Sequence, residues 1–213
     1  MSRRGAMGVG RLALLLATLG LSSPAGADLA PPDYRAYHGQ RAYAESLLAL
    51  RTGRTEAALV AAGRSVELLS DDPDALYLLG MCQLFAGLQD EARASLEQVL
   101  VLRPDLVEAH HDLGLIWLSI GEPTAAAASF QRVAELRPES WIAPYRLAQV
   151  AGLLEGDLPA CELHLARAME LGHPGVASLP VDPDWAKLAG DPAFVAMIQR
   201  ILEGEGQGRG PGK

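Results

Sequence analysis

Apolar residues are spaced in a helical pattern through the middle of the chain, and the pattern repeats. Along residues 39–174 they recur at i, i+3, i+4 and i+7 on both sides of regularly placed glycines, which is typical of amphipathic helices. Gly53, Gly87 and Gly121 are 34 residues apart, and Gly156 follows one residue late. Each unit is therefore predicted to contain two antiparallel helices of about 14 residues joined by a short turn.

Small and large residues recur at the same interval. Leu79-Gly80 and Leu113-Gly114 mark the first helices of two units, and Leu147-Ala148 marks the next. The second helices carry small residues at Ala58, Ala92, Ala126 and Cys161, large apolar residues at Leu96, Phe130 and Leu165, and closing leucines at Leu68, Leu102, Leu136 and Leu171. Small residues let helices approach closely while the large ones fill the space between units, so the pattern predicts a stacked, all-α solenoid.

These residues resemble the tetratricopeptide repeat (TPR). The match is fullest over residues 73–140, where the third unit carries Leu113-Gly114, Trp117, Gly121, Ala126, Phe130, Val133 and Pro138. The resemblance implies an all-α, right-handed superhelical solenoid of about four helix-turn-helix repeats plus a C-terminal capping helix. The four repeats of this solenoid would be residues 39–72, 73–106, 107–140 and 141–174. The first is degenerate, because Glu45-Ser46 replaces Leu-Gly there.

The two ends of the chain do not follow the repeat. Residues 1–27 combine Arg3, Arg4 and Arg11 with the apolar run 12–21 and the small-residue site Ala25-Gly26-Ala27, which predicts a secretory signal peptide. Residues 28–38 are expected to be an extended lead-in, up to Asp33, and the start of the first helix. Residues 175–203 are expected to cap the last repeat with Trp185, Leu188, Phe194, Val195 and Ile198, and residues 204–213 to be a disordered Gly-rich tail.

Charge and export narrow the classes of partner. The chain has 26 acidic and 18 basic residues and a net charge of −8, which argues against nucleic acid because such binding requires many Lys and Arg. Cleavage of the signal would leave an exported protein, periplasmic or extracellular, with no membrane insertion; a retained anchor is the alternative.

The two cysteines are predicted to be unpaired and buried. An oxidising compartment permits a disulfide, but Cys82 and Cys161 fall on separated helices.

The sequence offers little for catalysis. His110, His111 and Asp112 form the one suggestive polar cluster, yet adjacent helical residues point about 100° apart, so the two imidazoles cannot share a metal. No nucleophile elbow, phosphate-binding loop or zinc motif occurs. We therefore expect a protein that is not an enzyme and that needs neither a cofactor nor a metal.

The resemblance implies that the first helix of each repeat lines a concave groove. The groove positions carry one ring or imidazole per repeat and several apolar side chains, namely Tyr43, Leu47, Tyr77, Met81, Phe85, His111, Leu115, Tyr145, Gln149 and Leu153. Arg51 and Arg146 are the basic groups there, too few for the family's clamp on C-terminal carboxylates.

The expected function is that of a non-catalytic adaptor that binds a peptide or helix of an exported protein or membrane-complex component. Three alternatives stay open: a small apolar ligand, an accessory subunit that positions an enzyme or assembly complex, and a groove wall packed only against itself.

Overall fold

The described part of the chain is built from helices. The computed structural model describes the backbone of residues 32–208 and the side chains of residues 34–203, so the predicted signal peptide and residues 28–31 lie outside the described residues. The helices are α1 (Pro32–Arg51), α2 (Thr55–Leu68), α3 (Pro73–Phe85), α4 (Gln89–Leu102), α5 (Val107–Ile120), α6 (Pro123–Leu136), α7 (Ile142–Gln149), α8 (Leu158–Glu170) and α9 (Pro192–Gly208). Successive helices form four antiparallel pairs, α1–α2, α3–α4, α5–α6 and α7–α8, and each pair packs against the next. The last helix, α9, packs against α8. Within these residues no helix is both long and apolar enough to cross a membrane.

A left-handed glycine ends the first helix of every pair. Gly121 has φ +82°, and Gly53, Gly87 and Gly156 have φ between +69° and +76°, a conformation that costs little only for glycine. After Gly121 the backbone N–H of Glu122 donates to the carbonyl of Trp117 at 2.9 Å. The spacing of these glycines thus set the predicted turns correctly.

Close helix contacts depend on the small residues that the repeat predicts. A Cβ added to Gly114 would lie 2.5 Å from Cε1 of Phe130, and one added to Gly80 would lie 3.3 Å from the side chain of Leu96. Phe130 and Leu96 are fully buried. In the second and third repeats the glycine of the first helix therefore makes room for the large residue of the second helix.

The fourth repeat absorbs its extra residue in a π-helix. α7 continues directly into a π-helical segment, Val150–Glu155, before Gly156. The N–H of Asp157 donates to the carbonyl of Ala151, six residues earlier, whereas Glu122 in the third repeat bonds five residues back. A single inserted residue is a usual origin of a π-bulge, so the late arrival of Gly156 has a direct structural explanation.

The C-terminal segment covers the last repeat. Trp185, Phe194 and Met197 are fully buried against α8 residues such as Leu165. Ile198 is also buried, and Leu188 and Val195 are partly buried, so all five predicted capping residues contribute. Asp191 precedes α9 and its carboxylate accepts a 2.8 Å hydrogen bond from the N–H of Ala193, which satisfies one free donor of the first turn.

Two predicted ends differ from the structure. α1 begins at Pro32, inside the segment expected to be extended to Asp33, because proline in a first turn loses no helical hydrogen bond. α9 continues to Gly208, five residues into the predicted disordered tail. Once a helix is docked, each further residue that joins it gains one backbone hydrogen bond. The prediction considered the tail by itself and therefore left this gain out.

The first repeat replaces apolar contacts by charged ones. Glu45 takes the position of Leu113 in the third repeat and lies 2.9 Å from Arg41 and 3.8 Å from Arg64. Leu48 is 57% exposed, although its equivalent in the third repeat, Ile116, is buried. A polar outer face of this kind is typical of a terminal repeat.

The two cysteines are free and buried, as predicted. Cys82 lies on α3 and Cys161 on α8, and neither side chain is exposed. The Oγ of Ser46 lies 3.4 Å from the Sγ of Cys82. Burial raises the pKa of both thiols, that of Cys161 to about 12.

Candidate binding groove

Nine of the ten predicted groove residues lie on the first helices of the pairs, and Leu153 lies on the π-helical segment that continues α7. The ten side chains differ in exposure. Leu47 and Phe85 are open to solvent, with 41% and 63% of their surface exposed. The half-buried members are Tyr43, Tyr77, Met81, His111, Leu115 and Leu153. Tyr145 and Gln149 are buried. That these residues bind a partner stays a prediction.

Tyr77 and Asp112 join two of these helices. The hydroxyl of Tyr77 on α3 donates a 2.8 Å hydrogen bond to Oδ2 of Asp112 on α5. Nδ1 of His111 lies 3.2 Å from the other carboxylate oxygen. Burial, together with the negative charges of Asp112 and Glu108, raises the pKa of Tyr77 well above its usual value. The hydroxyl therefore stays protonated and remains a donor to Asp112.

A pocket opens beside this hydrogen bond. Its volume is about 230 Å³, and its lining residues are Tyr77, Val107, Glu108, His111, Asp112, Val133, Arg137, Ser140 and Ile142. Glu108 and Arg137 lie 3.5 Å apart as an ion pair. The pocket thus brings two predicted groove residues, Tyr77 and His111, to one place. Its lining combines three aliphatic side chains with two carboxylates and a phenol.

Tyr145 belongs to the packing of the cap instead of an open groove. Nε1 of Trp185 donates a 2.8 Å hydrogen bond to its hydroxyl, and the imidazole of His173 stacks on its ring at 4.9 Å. Gln149 is buried nearby and accepts a 2.7 Å hydrogen bond from Arg146. In the fourth repeat the chain itself therefore covers the ring that was predicted to line the groove.

Sequence reasoning missed the charged residues around the pocket. Arg137 pairs with Glu108, and 34 residues earlier Arg103 pairs with Asp74 at 2.8 Å. Each pair joins the end of a second helix to the first turn of its own first helix. The signal was present as an acid and an arginine 29 residues apart in two successive repeats.

The structure separates the histidines of the cluster. Nε2 of His110 lies 2.9 Å from the carbonyl oxygen of Pro104, whereas His111 contacts Asp112. Over the described part of the chain, no group of three or more His, Cys, Asp and Glu side chains is placed to hold a metal ion.

Comparison with known proteins identifies the repeat. A family model described as tetratricopeptide repeat matches residues 43–107, 84–140 and 111–169. These overlapping matches span all four helix pairs. No curated protein sequence matches the chain.

Solved structures share the fold at low sequence identity. MamA from Desulfovibrio magneticus RS-1 superposes with a TM-score of 0.63 and 22% identity over 81% of this chain and 98% of that one. YrrB, described as a TPR protein with an unusual peptide-binding site, has a TM-score of 0.58 and 21% identity over 74% of this chain and 81% of its own. A thermophilic TPR protein from Thermus thermophilus has a TM-score of 0.56 and 19% identity over 78% of this chain and 89% of its own. At these identities the likeness concerns the fold alone.

Proposed function

The chain belongs to the tetratricopeptide-repeat family, and we propose that it is a non-catalytic adaptor that holds a peptide or helix of another protein. The observation that carries the proposal is the pocket lined by α5, α6 and the start of α7, with Tyr77 of α3 and His111 of α5 in its wall. Outside this pocket, Leu47 and Phe85 expose apolar surface at positions that face the groove in this family. Aromatic and apolar anchors of this kind usually dominate peptide binding.

A peptide suits these features better than a small molecule. Pockets for small ligands usually measure about 300–1,000 Å³, whereas this one measures about 230 Å³. A peptide would place one side chain in the pocket and spread the rest of its contacts over Leu47 and Phe85. The peptide-binding site described for YrrB, a protein of the same fold, supports the same class of ligand.

Photocrosslinking from the groove tests the adaptor function. A photoreactive residue replaces Phe85 in one variant and Val101, an exposed residue of α4 outside the proposed contact set, in a control. We expect the Phe85 probe to give a discrete protein adduct in the native compartment and the Val101 probe to give none. The adduct should disappear when Leu47 is also changed to Asp. Adducts that are the same from both probes would contradict the proposal.

We propose that the adaptor acts outside the cytoplasm. The support is the arrangement of Arg3, Arg4 and Arg11 before the apolar run 12–21 and the site Ala25-Gly26-Ala27, which is typical of a secretory signal. N-terminal sequencing of the native protein should begin at Asp28. Recovery of intact Met1 from a membrane fraction would show instead that the segment is retained.

A further inference from the structure

Asp112 is a largely buried carboxylate without an arginine or lysine partner in the described part of the chain. Its side chain is only 15% exposed. Its contacts are the neutral hydroxyl of Tyr77 and the imidazole of His111, and between residues 34 and 203 no arginine or lysine nitrogen lies within 4 Å of it. The neighbouring Glu108 is already paired with Arg137. Taking a carboxylate out of water is costly unless a cation compensates it.

The pocket next to Asp112 has the shape and polarity that a long cationic side chain requires. Val107, Val133 and Ile142 provide aliphatic walls, against which the methylene stem of lysine or arginine can pack. Asp112 provides the charge, because each carboxylate oxygen can accept two hydrogen bonds and the protein uses one at each. The phenol ring of Tyr77 is a further surface that attracts cations.

The charges that line the pocket also favour a cation. Glu108 and Asp112 contribute two carboxylates, against the one guanidinium of Arg137. Burial is the largest cause of the raised pKa of Tyr77, and the charges of the same two carboxylates raise it further, as negative neighbours do to a phenol. An acidic side chain of a partner would meet repulsion here, and an aliphatic one would leave Asp112 with the hydrogen bonds of Tyr77 and His111 but no cation.

We propose that this pocket selects a lysine or arginine side chain of an extended peptide, with Asp112 as the residue that determines the specificity. The inference rests on the proposed adaptor function and assigns the chemistry of its ligand. Tyr77 acts as a positioning residue, because its hydroxyl holds the Asp112 carboxylate at the pocket wall.

Matched peptides test the charge preference. The probes are blocked, fluorescently labelled peptides of alternating leucine and serine that differ only in one central residue, which is arginine, lysine, citrulline or glutamate. Citrulline keeps the shape of arginine and lacks its charge. By fluorescence anisotropy we expect the arginine or lysine peptide to bind at least about tenfold more tightly than the citrulline peptide, the factor that corresponds to a charge-assisted hydrogen bond.

Three variants separate the charge of Asp112 from its structural role. Asp112→Asn removes the charge and should abolish the preference for the cation. Tyr77→Phe removes the hydrogen bond that positions Asp112 but leaves the carboxylate, so it should weaken the preference without abolishing it. Glu91→Gln makes the same charge change as Asp112→Asn at an exposed position of α4 and should leave the preference unchanged. If circular dichroism shows that Asp112→Asn does not fold, the salt dependence of the arginine preference is measured on the unmodified protein instead. That preference should decrease with added salt, since salt weakens an ion pair.

Each possible result decides the inference. Equal affinity for the arginine and citrulline peptides, a preference that survives Asp112→Asn, or no binding of any of the four peptides would overturn it. Failure here is distinct from failure of the adaptor function. If the Phe85 crosslink still depends on Leu47, the groove binds its partner by other chemistry; if that dependence is also lost, the groove does not bind a partner.

Discussion

The indole Nε1 of Trp185 donates a 2.8 Å hydrogen bond to the hydroxyl of Tyr145, forty residues earlier in the chain. Both side chains are buried. The bond joins the fourth repeat to the cap, and the hydroxyl of Tyr145 serves there as an internal acceptor.

Tyr145→Phe should lower the free energy of unfolding by about 1–3 kcal/mol, because it leaves the buried Trp185 N–H without its acceptor. Urea denaturation followed by circular dichroism measures the loss. Tyr37→Phe, at an exposed position of α1, is the control and should have almost no effect. Equal unfolding midpoints for the two variants would contradict the assignment.

Two glycines in different packing environments should respond in opposite directions to alanine. Gly114→Ala places a Cβ 2.5 Å from Phe130, so the overpacked contact should cost about 1–3 kcal/mol. Gly63 lies within α2, and an added Cβ there meets nothing within 4 Å. Gly63→Ala should therefore stabilise the protein by about 0.5–1 kcal/mol. Thermal melts of both variants would show the difference, and a shared direction would contradict the packing.

Both cysteine thiols should be unreactive in the native protein. Cys82 and Cys161 are fully buried, and burial, followed by the charges of Glu162 and Asp157, raises the pKa of Cys161 to about 12. Iodoacetamide should label neither thiol at neutral pH, and should label both after denaturation without reductant. If denaturation releases no free thiol, the cysteines are paired.

Stability should fall in alkaline solution because of Tyr77. Its pKa is raised above the ordinary value of 10.0 in the folded state, so its contribution to stability is complete below about pH 10. That contribution is lost as the pH rises from there toward the folded pKa, since the unfolded phenol ionises first. Urea unfolding at pH 8 and pH 11 measures the loss. Asp112→Asn should reduce the loss, and an unchanged pH dependence in that variant would contradict the coupling.

Periodicity alone predicted the parts of the fold that each repeat makes for itself. The left-handed turn at Gly121 and the space that Gly114 leaves for Phe130 depend on neighbours at fixed sequence distances. The burial of Tyr145 depends on Trp185, which lies outside the repeats, so counting in steps of 34 could not find it. The start of α1 at Pro32 and the extent of α9 depend on how helices propagate at their ends.

The candidate site was predicted only in part for a similar reason. Tyr77 and His111 follow from their position in the repeat, and the structure places both at one pocket. The importance of Asp112 follows from which contacts it makes and which it lacks among the described residues. These contacts involve side chains on two different helices, so the spacing of residues in the sequence could not predict them.

The π-helix in the fourth repeat divides the array into exchangeable and fixed units. Repeats 73–106 and 107–140 share one length and one turn, so an additional copy of either repeat could be inserted between them while the backbone geometry of the stack is kept. The fourth repeat does not allow this, because its π-helical segment places Gly152 against Trp185 and Leu188 of the cap. Recombination could therefore lengthen the array from within, while the fourth repeat and the cap would have to be inherited together.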